Sequence, residues 1–168
     1  MEQAESVIER LTGRRPAGHR APHSTLHPEA FSLMRERGYL YSSNLRDCDY
    51  AYLHEAEAGE SPLVELPTDV VLDDFTYYYY SCAIEPGHRI AFTNREYINM
   101  LREEFDGVAA EGDKIMVLKF HPALIGRPGW IKRLGDFIGY MQQQGAWITT
   151  CEAVARYVLA HTEGGHPQ

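Results

Sequence analysis

"LKFHPALIGRPGW", residues 118–130, is the stretch on which the fold turns. The apolar run Ile115-Met116-Val117-Leu118 reads as a buried strand, and it stops at His121-Pro122. A loop follows. Gly126-Arg127-Pro128-Gly129 then leads into a segment whose Ile131, Leu134, Ile138 and Met141 keep helical spacing up to Gly145. Ligands of α/β proteins sit at the carboxyl ends of strands. A histidine at that point is either a residue satisfied at the core edge or a group placed for chemistry.

The neighbouring segments repeat the alternation. Upstream, Thr93-x-x-Glu96 predicts a capping box for a helix with Tyr97, Ile98, Leu101 and Phe105 on one face. Downstream, Trp147-Ile148-Thr149 predicts a short strand. Thr149-x-x-Glu152 then caps a last helix carrying Val154, Ala155, Val158 and Leu159. Toward the amino terminus, Ala4, Val7, Ile8 and Leu11 mark the inward stripe of a first helix stopped by Gly13. Pro28 starts a second helix with Ala30, Phe31 and Met34 inward, and Gly38 ends it. Residues 39–43 and 63–67 read as strands, with an irregular acidic loop over 46–62. Strands alternating with helices predict an α/β fold with mainly parallel strands. The chain opens on a helix, in the middle of such a unit.

The totals narrow the class. The chain has 168 residues, 44% of them hydrophobic and 24% charged, which suits one globular domain over 1–161 with a disordered tail at 162–168. A net charge of −8 opposes binding to nucleic acid or to anionic membranes. No apolar run reaches the roughly 18 residues of a spanning helix. The polar start "MEQAESVIER" has no signal-peptide pattern, and Cys48, Cys82 and Cys151 form no CxxC. A cytoplasmic location is therefore expected.

Three stretches could carry chemistry. "RPAGHRAPHSTLHP" (15–28) sets Arg20 in a backbone stiffened by prolines, "ELPTDVVLDDFTYYYY" (65–80) sets Asp73-Asp74 before a row of aromatics, and the third holds His121. A carboxylate beside an imidazole orients the ring and favours its charged form, which has a proton to give. Plainer readings stand beside these: a surface salt bridge for Arg20, a solvated turn for Asp73-Asp74, a strand-end residue for His121. Tyr77 to Tyr80 line a pocket or pack a rim. Arg127 sits in a helix-start turn where it could meet an anionic substrate, and Cys151 lies on an apolar helix face.

Taken together, "IERLTGRRPAGHRAP", "LRDCDYAYLHE", "LVELPTDVVLDDFTYY" and "LKFHPALIGRPGW" resemble the polysaccharide deacetylase superfamily, above all its cytoplasmic branch of allantoinase-like and cyclic-imide-hydrolase-like proteins. The likeness runs in order over nearly the whole chain. It implies a distorted (β/α) barrel that hydrolyses carbon–nitrogen bonds of an amide, imide or N-acetylated sugar with a divalent metal, zinc. Residue by residue it implies His121 as the catalytic acid, Asp74 as its paired aspartate, and Arg20 in "RAP" as the arginine that steadies the catalytic base. Arg127 and Tyr77 are the candidates for substrate contact.

The family's first two motifs, an Asp-Asp pair after an apolar strand and His-[Ser/Thr]-x-x-His, supply the base and the metal ligands. Both normally precede the "RAP" region, where this chain has about one helix. The expectation is a barrel incomplete at its amino terminus, open enough at its edges to form a homo-oligomer. His23-Ser24-Thr25-Leu26-His27 does fit the second motif literally. Its flanks belong to the third-motif region, however, and it lacks the carboxylate of a three-ligand set. No metal ligand is therefore assigned. Two function classes follow: a metal-dependent hydrolase, or a catalytically inactive domain serving as a binding module or as half of an assembled enzyme.

Overall fold

The computed structural model describes residues 1–22, 25–78 and 93–162. His23, Tyr79, Tyr80, Cys82 and the tail beyond Thr162 lie outside the described residues. The architecture is mixed α/β with an open sheet, as expected. It divides into two compact units, residues 1–67 with 149–168, and residues 68–148. No described helix is long and apolar enough to cross a membrane.

The first unit carries the sheet. β1 (Gly18–His19), β2 (Tyr41–Ser42) and β4 (Val64–Glu65) are parallel, and β3 (Tyr52–Leu53) is antiparallel to β4, giving the order β1-β2-β4-β3. β3 falls in the stretch expected to be an irregular loop. Strands of two residues leave too little alternation to read. Gly18 pairs with Tyr41, and a Cβ at Gly18 would meet the Tyr41 ring at 2.2 Å, so the two strands need a glycine there.

α1 (Glu2–Thr12) corrects the expected inward stripe: Val7 and Ile8 are exposed and Leu11 is 75% exposed, while Glu5 is 4% exposed. The helix is anchored through charge. Glu5 accepts from Arg37 Nε (2.5 Å), Arg37 Nη2 (2.6 Å), Arg15 Nη2 (2.9 Å) and the Tyr39 hydroxyl (3.0 Å). The bonds from Arg37 lead in holding its carboxyl down at about 2. α2 (Ala30–Glu36) buries Ala30 and Met34 against Tyr39 and Leu63, with Phe31 packed alongside. α7 (Cys151–Thr162) packs on β2 and β4. Its cap is Thr150, whose Oγ1 accepts from Ala153 N at 3.2 Å, one residue after the expected Thr149. Glu152 instead binds Arg156 and Arg14. Cys151 is only partly buried, and no described strand forms at 147–149, where Trp147 and Ile148 are exposed.

Among its described residues the second unit is mainly helical. α3 (Asp74–Tyr78), α4 (Asn94–Glu111), α5 (Pro122–Ile125) and α6 (Pro128–Gln143) follow one another. The capping box at α4 is present: Glu96 N donates to Thr93 Oγ1 at 3.3 Å and Thr93 N to Glu96 Oε2 at 2.8 Å. Tyr97, Ile98, Leu101 and Phe105 are all buried, against Leu134, Phe137 and Met141 of α6. Ile131, expected inward, is exposed, and Phe137 takes the core position. The expected strand over 114–121 reduces to one parallel bridge, Asp73 with Lys119. Among the described residues the run has a ladder partner on one side only, and it stays half-buried.

Two outcomes test this description. Gly18→Ala should lower stability by about 1–3 kcal/mol, the cost of overpacking, read from urea unfolding. Glu5→Gln should cost about 2 kcal/mol at pH 7, less than a fully buried pair because Arg15 and Arg37 reach water. Since folding lowers the Glu5 carboxyl from 4.5 to about 2, its contribution is complete above pH 4.5 and is lost as pH falls through 2. The gap between wild type and Glu5→Gln should close across that window.

Candidate active site

Pro122 answers why a histidine is held beside a proline. A proline disfavours the helical region for the residue before it. His121 accordingly sits at φ −103° and ψ 118° as the N-cap of α5, with Pro122 in the first turn. The turn closes at Gly126, whose N–H donates to the Pro122 carbonyl at 3.2 Å. A Cβ at Gly126 would stand 2.3 Å from that carbonyl oxygen. The H-P-x-x-x-G spacing therefore fixes the His121 backbone from both ends.

Asp74 reaches the same point from α3. The bridge aligns the two segments: Lys119 N donates to Leu72 O at 3.0 Å and Asp74 N to Lys119 O at 3.2 Å. The Asp74 carboxylate is fully buried and faces His121. Both its oxygens accept from His121 N at 3.0 Å, and Oδ1 lies 2.7 Å from Nδ1. A carboxylate can only accept here, so Nδ1 carries the proton and Nε2 is the ring's outer nitrogen. The His121 side chain is 44% exposed, so that nitrogen can meet a ligand. The Phe75 ring stands 5.1 Å from the imidazole at 45°, flanking it.

Asp73 is not the solvated turn residue of the plainer reading, being 13% exposed. Its Oδ2 lies 2.6 Å from Lys119 Nζ, its Oδ1 accepts from Phe75 N at 3.0 Å, and Oδ1 is 3.7 Å from His121 Nδ1. The backbone register sets Lys119 beside it. Lys119 was missed in sequence, although a lone charge two residues before His121 shares its side of an extended chain.

The remaining expected residues are Tyr77, Arg127 and Arg20. Tyr77 is partly buried and packs on the Tyr97 ring at 5.1 Å, beside the apolar cluster. Burial first, then the charge of Asp74, pushes the Tyr78 and Tyr97 hydroxyls up, so both stay neutral beside the carboxylate. Arg127 is exposed as the N-cap of α6, its guanidinium 5.6 Å from the Trp130 ring centre.

Arg20 belongs to the first unit, directly after β1. Its Nε donates to Ser43 O at 3.0 Å and its Nη2 to Ser43 Oγ at 2.5 Å. Beneath it lies a polar layer at the ends of the parallel strands. Asn44 Oδ1 accepts from Ala21 N, and the fully buried Glu65 accepts from Asn44 N (2.7 Å) and Leu45 N (2.9 Å) and meets His54 Nε2 (2.8 Å). Burial pushes the Glu65 carboxyl up, and these bonds outweigh it, leaving it below the ordinary value.

Asp73, Asp74 and His121 bring ligand-type atoms within 4.8 Å of one another, a candidate metal cluster. The donor set does not fit a cation. Both Asp74 oxygens are engaged by His121, Nδ1 is a donor, and the ammonium of Lys119 already neutralises Asp73. His27, the described half of the HSTLH pair, is exposed, with Nδ1 accepting from Glu29 N at 3.4 Å.

No protein-family model matches the chain. It is 24% identical over 196 residues to a peptidoglycan deacetylase-like protein of Gibberella zeae, covering 97% of this chain and 57% of that one. A Mycobacterium smegmatis protein described as a polysaccharide deacetylase superposes with a TM-score of 0.84 at 29% identity, covering 96% of this chain and 55% of its own. Puue allantoinase gives 0.78 at 27%, covering 95% and 51%. The chain thus spans about half the length of relatives that it matches almost from end to end. Its structural relatives are polysaccharide deacetylases and an allantoinase, in line with the resemblance carried by the sequence motifs.

Within the pair itself, a double-mutant cycle of Asp74→Asn and His121→Ala should give a coupling of about 1.5–3 kcal/mol, as for a bond to a charged group. Additive losses in urea unfolding would show that the ring bond contributes nothing.

Proposed function

We propose that the chain is a hydrolase of carbon–nitrogen bonds of the polysaccharide deacetylase type, with His121 as general acid and Asp74 as its orienting partner. The observation that carries this is the 2.7 Å contact between Asp74 and His121 Nδ1, made by a fully buried carboxylate to a ring that keeps an exposed outer edge. Relatives described as deacetylases and an allantoinase support the reaction class. The substrate class is an amide, imide or N-acetylated sugar.

The chemistry assigned to this chain is the proton-donating half. Asp74 holds the proton on Nδ1 and the ring in place, and Phe75 limits its swing. In the doubly protonated ring the second proton sits on Nε2 and faces the leaving nitrogen. As water adds to the carbonyl and the carbon–nitrogen bond breaks, that nitrogen takes the Nε2 proton and departs neutral. In relatives of this type a divalent metal, zinc, would supply the activated water. No described residue set is assigned to hold it. Arg20 is proposed to steady the catalytic base and Arg127 to contact an anionic substrate group. The second reading is a binding module or half of an assembled enzyme.

The test is release of acetate from N-acetylated glycans, or of ring-opened acid from cyclic amides, by the purified chain with added zinc. His121→Ala should lower a measured rate about 10²–10⁴-fold, the usual weight of general acid catalysis. No turnover of either substrate class by the wild-type chain would overturn the hydrolase reading in favour of the module.

A further inference from the structure

We propose that Lys119 is a positioning residue that keeps the Asp73–Asp74–His121 cluster free of divalent cations and so commits it to proton donation. The inference rests on the acid role proposed for His121 and adds the device that protects it. Two carboxylates and an imidazole within 4.8 Å are the ingredients of a cation site. A cation bound there through the Nδ1 lone pair or through Asp74 Oδ1 would break the bond that orients the ring.

Lys119 opposes this in two ways. Its Nζ sits 2.6 Å from Asp73 Oδ2, with both side chains largely buried, at 20% and 13% exposed. Among the described residues, the ammonium takes the one carboxylate oxygen of the pair that no N–H donor engages. It also sets a positive charge beside any incoming cation, in surroundings where water screens little. The backbone bridge makes this placement hard to evade, since Lys119 is hydrogen-bonded on both sides to the segment that carries Asp73 and Asp74. The third donor, Phe75 N to Asp73 Oδ1 at 3.0 Å, holds Asp73 turned toward the lysine. The ions facing the imidazole in this arrangement are Asp74, Asp73 and, through Asp73, Lys119.

Zinc titration by calorimetry tests the proposal without any assay of hydrolysis, so its failure is distinct from failure of the hydrolase reading. Wild type and His121→Ala should show the same zinc stoichiometry. Lys119→Met should gain one site about 100-fold tighter than any zinc affinity of the wild-type cluster. That site should vanish in the Lys119→Met/His121→Ala double variant and should not form in Lys119→Arg, where the charge is restored. A cobalt-substituted Lys119→Met should show the visible absorption of a cobalt–imidazole site, a signature that loose packing alone would not produce. If Lys119→Met does not fold, the comparison of wild type with His121→Ala and Asp74→Asn still decides. A zinc site present in wild type and lost in both variants would overturn the proposal, as would a Lys119→Met protein that gains no site.

Discussion

The candidate site depends on one buried carboxylate. Asp74 is fully excluded from water and accepts from His121 through both backbone and ring. An ionised carboxylate buried this deeply is tolerable only when hydrogen-bond donors replace its hydration. His121 supplies those donors, and in return its ring is locked with one nitrogen toward Asp74 and the other outward. Around that exchange the rest falls into place: the bridge that aligns residues 73 and 119, the proline that holds His121 extended, and the lysine that neutralises the second carboxylate.

The two units solve the same problem of buried charge in different ways. In the first, Glu5 draws in two arginines and a tyrosine and thereby holds a helix whose apolar side chains face solvent. Glu65, in the same unit, is satisfied by a histidine and by backbone N–H groups that shape the loop following β2. In the second, Asp74 is satisfied by the residue whose chemistry it would support. A network can thus serve architecture or reactivity with the same donors. What separates them is exposure of the partner: His121 keeps nearly half of its side chain open, whereas His54 has 13%.

The sequence was most legible where one local signal sufficed. The capping box at Thr93 and the spacing of Tyr97, Ile98, Leu101 and Phe105 read directly as a buried helix face, because periodicity and cap agree. The contact between Asp74 and His121 was legible only through motif resemblance, since no spacing brings residues 47 apart together. Other features were hidden for physical reasons. The inward side of α1 could not be read because its anchor is a glutamate whose partners lie up to 34 residues away. Thr149 and Thr150 are both competent caps, and only the backbone path chooses between them. Lys119 carries little local signal in the sequence, because its place is set by a bridge that pairs it with a distant aspartate.

Asp74 fixes the neutral His121 ring with its proton on Nδ1 and with Nε2 outward. The most direct measurement is a long-range ¹H–¹⁵N spectrum of the His121 imidazole in the intact chain at a pH where the ring is neutral. The expected result is a protonated Nδ1 with a strongly deshielded proton, and an unprotonated Nε2. An imidazole carrying its proton on Nε2, or averaging freely between the two tautomers, would contradict it.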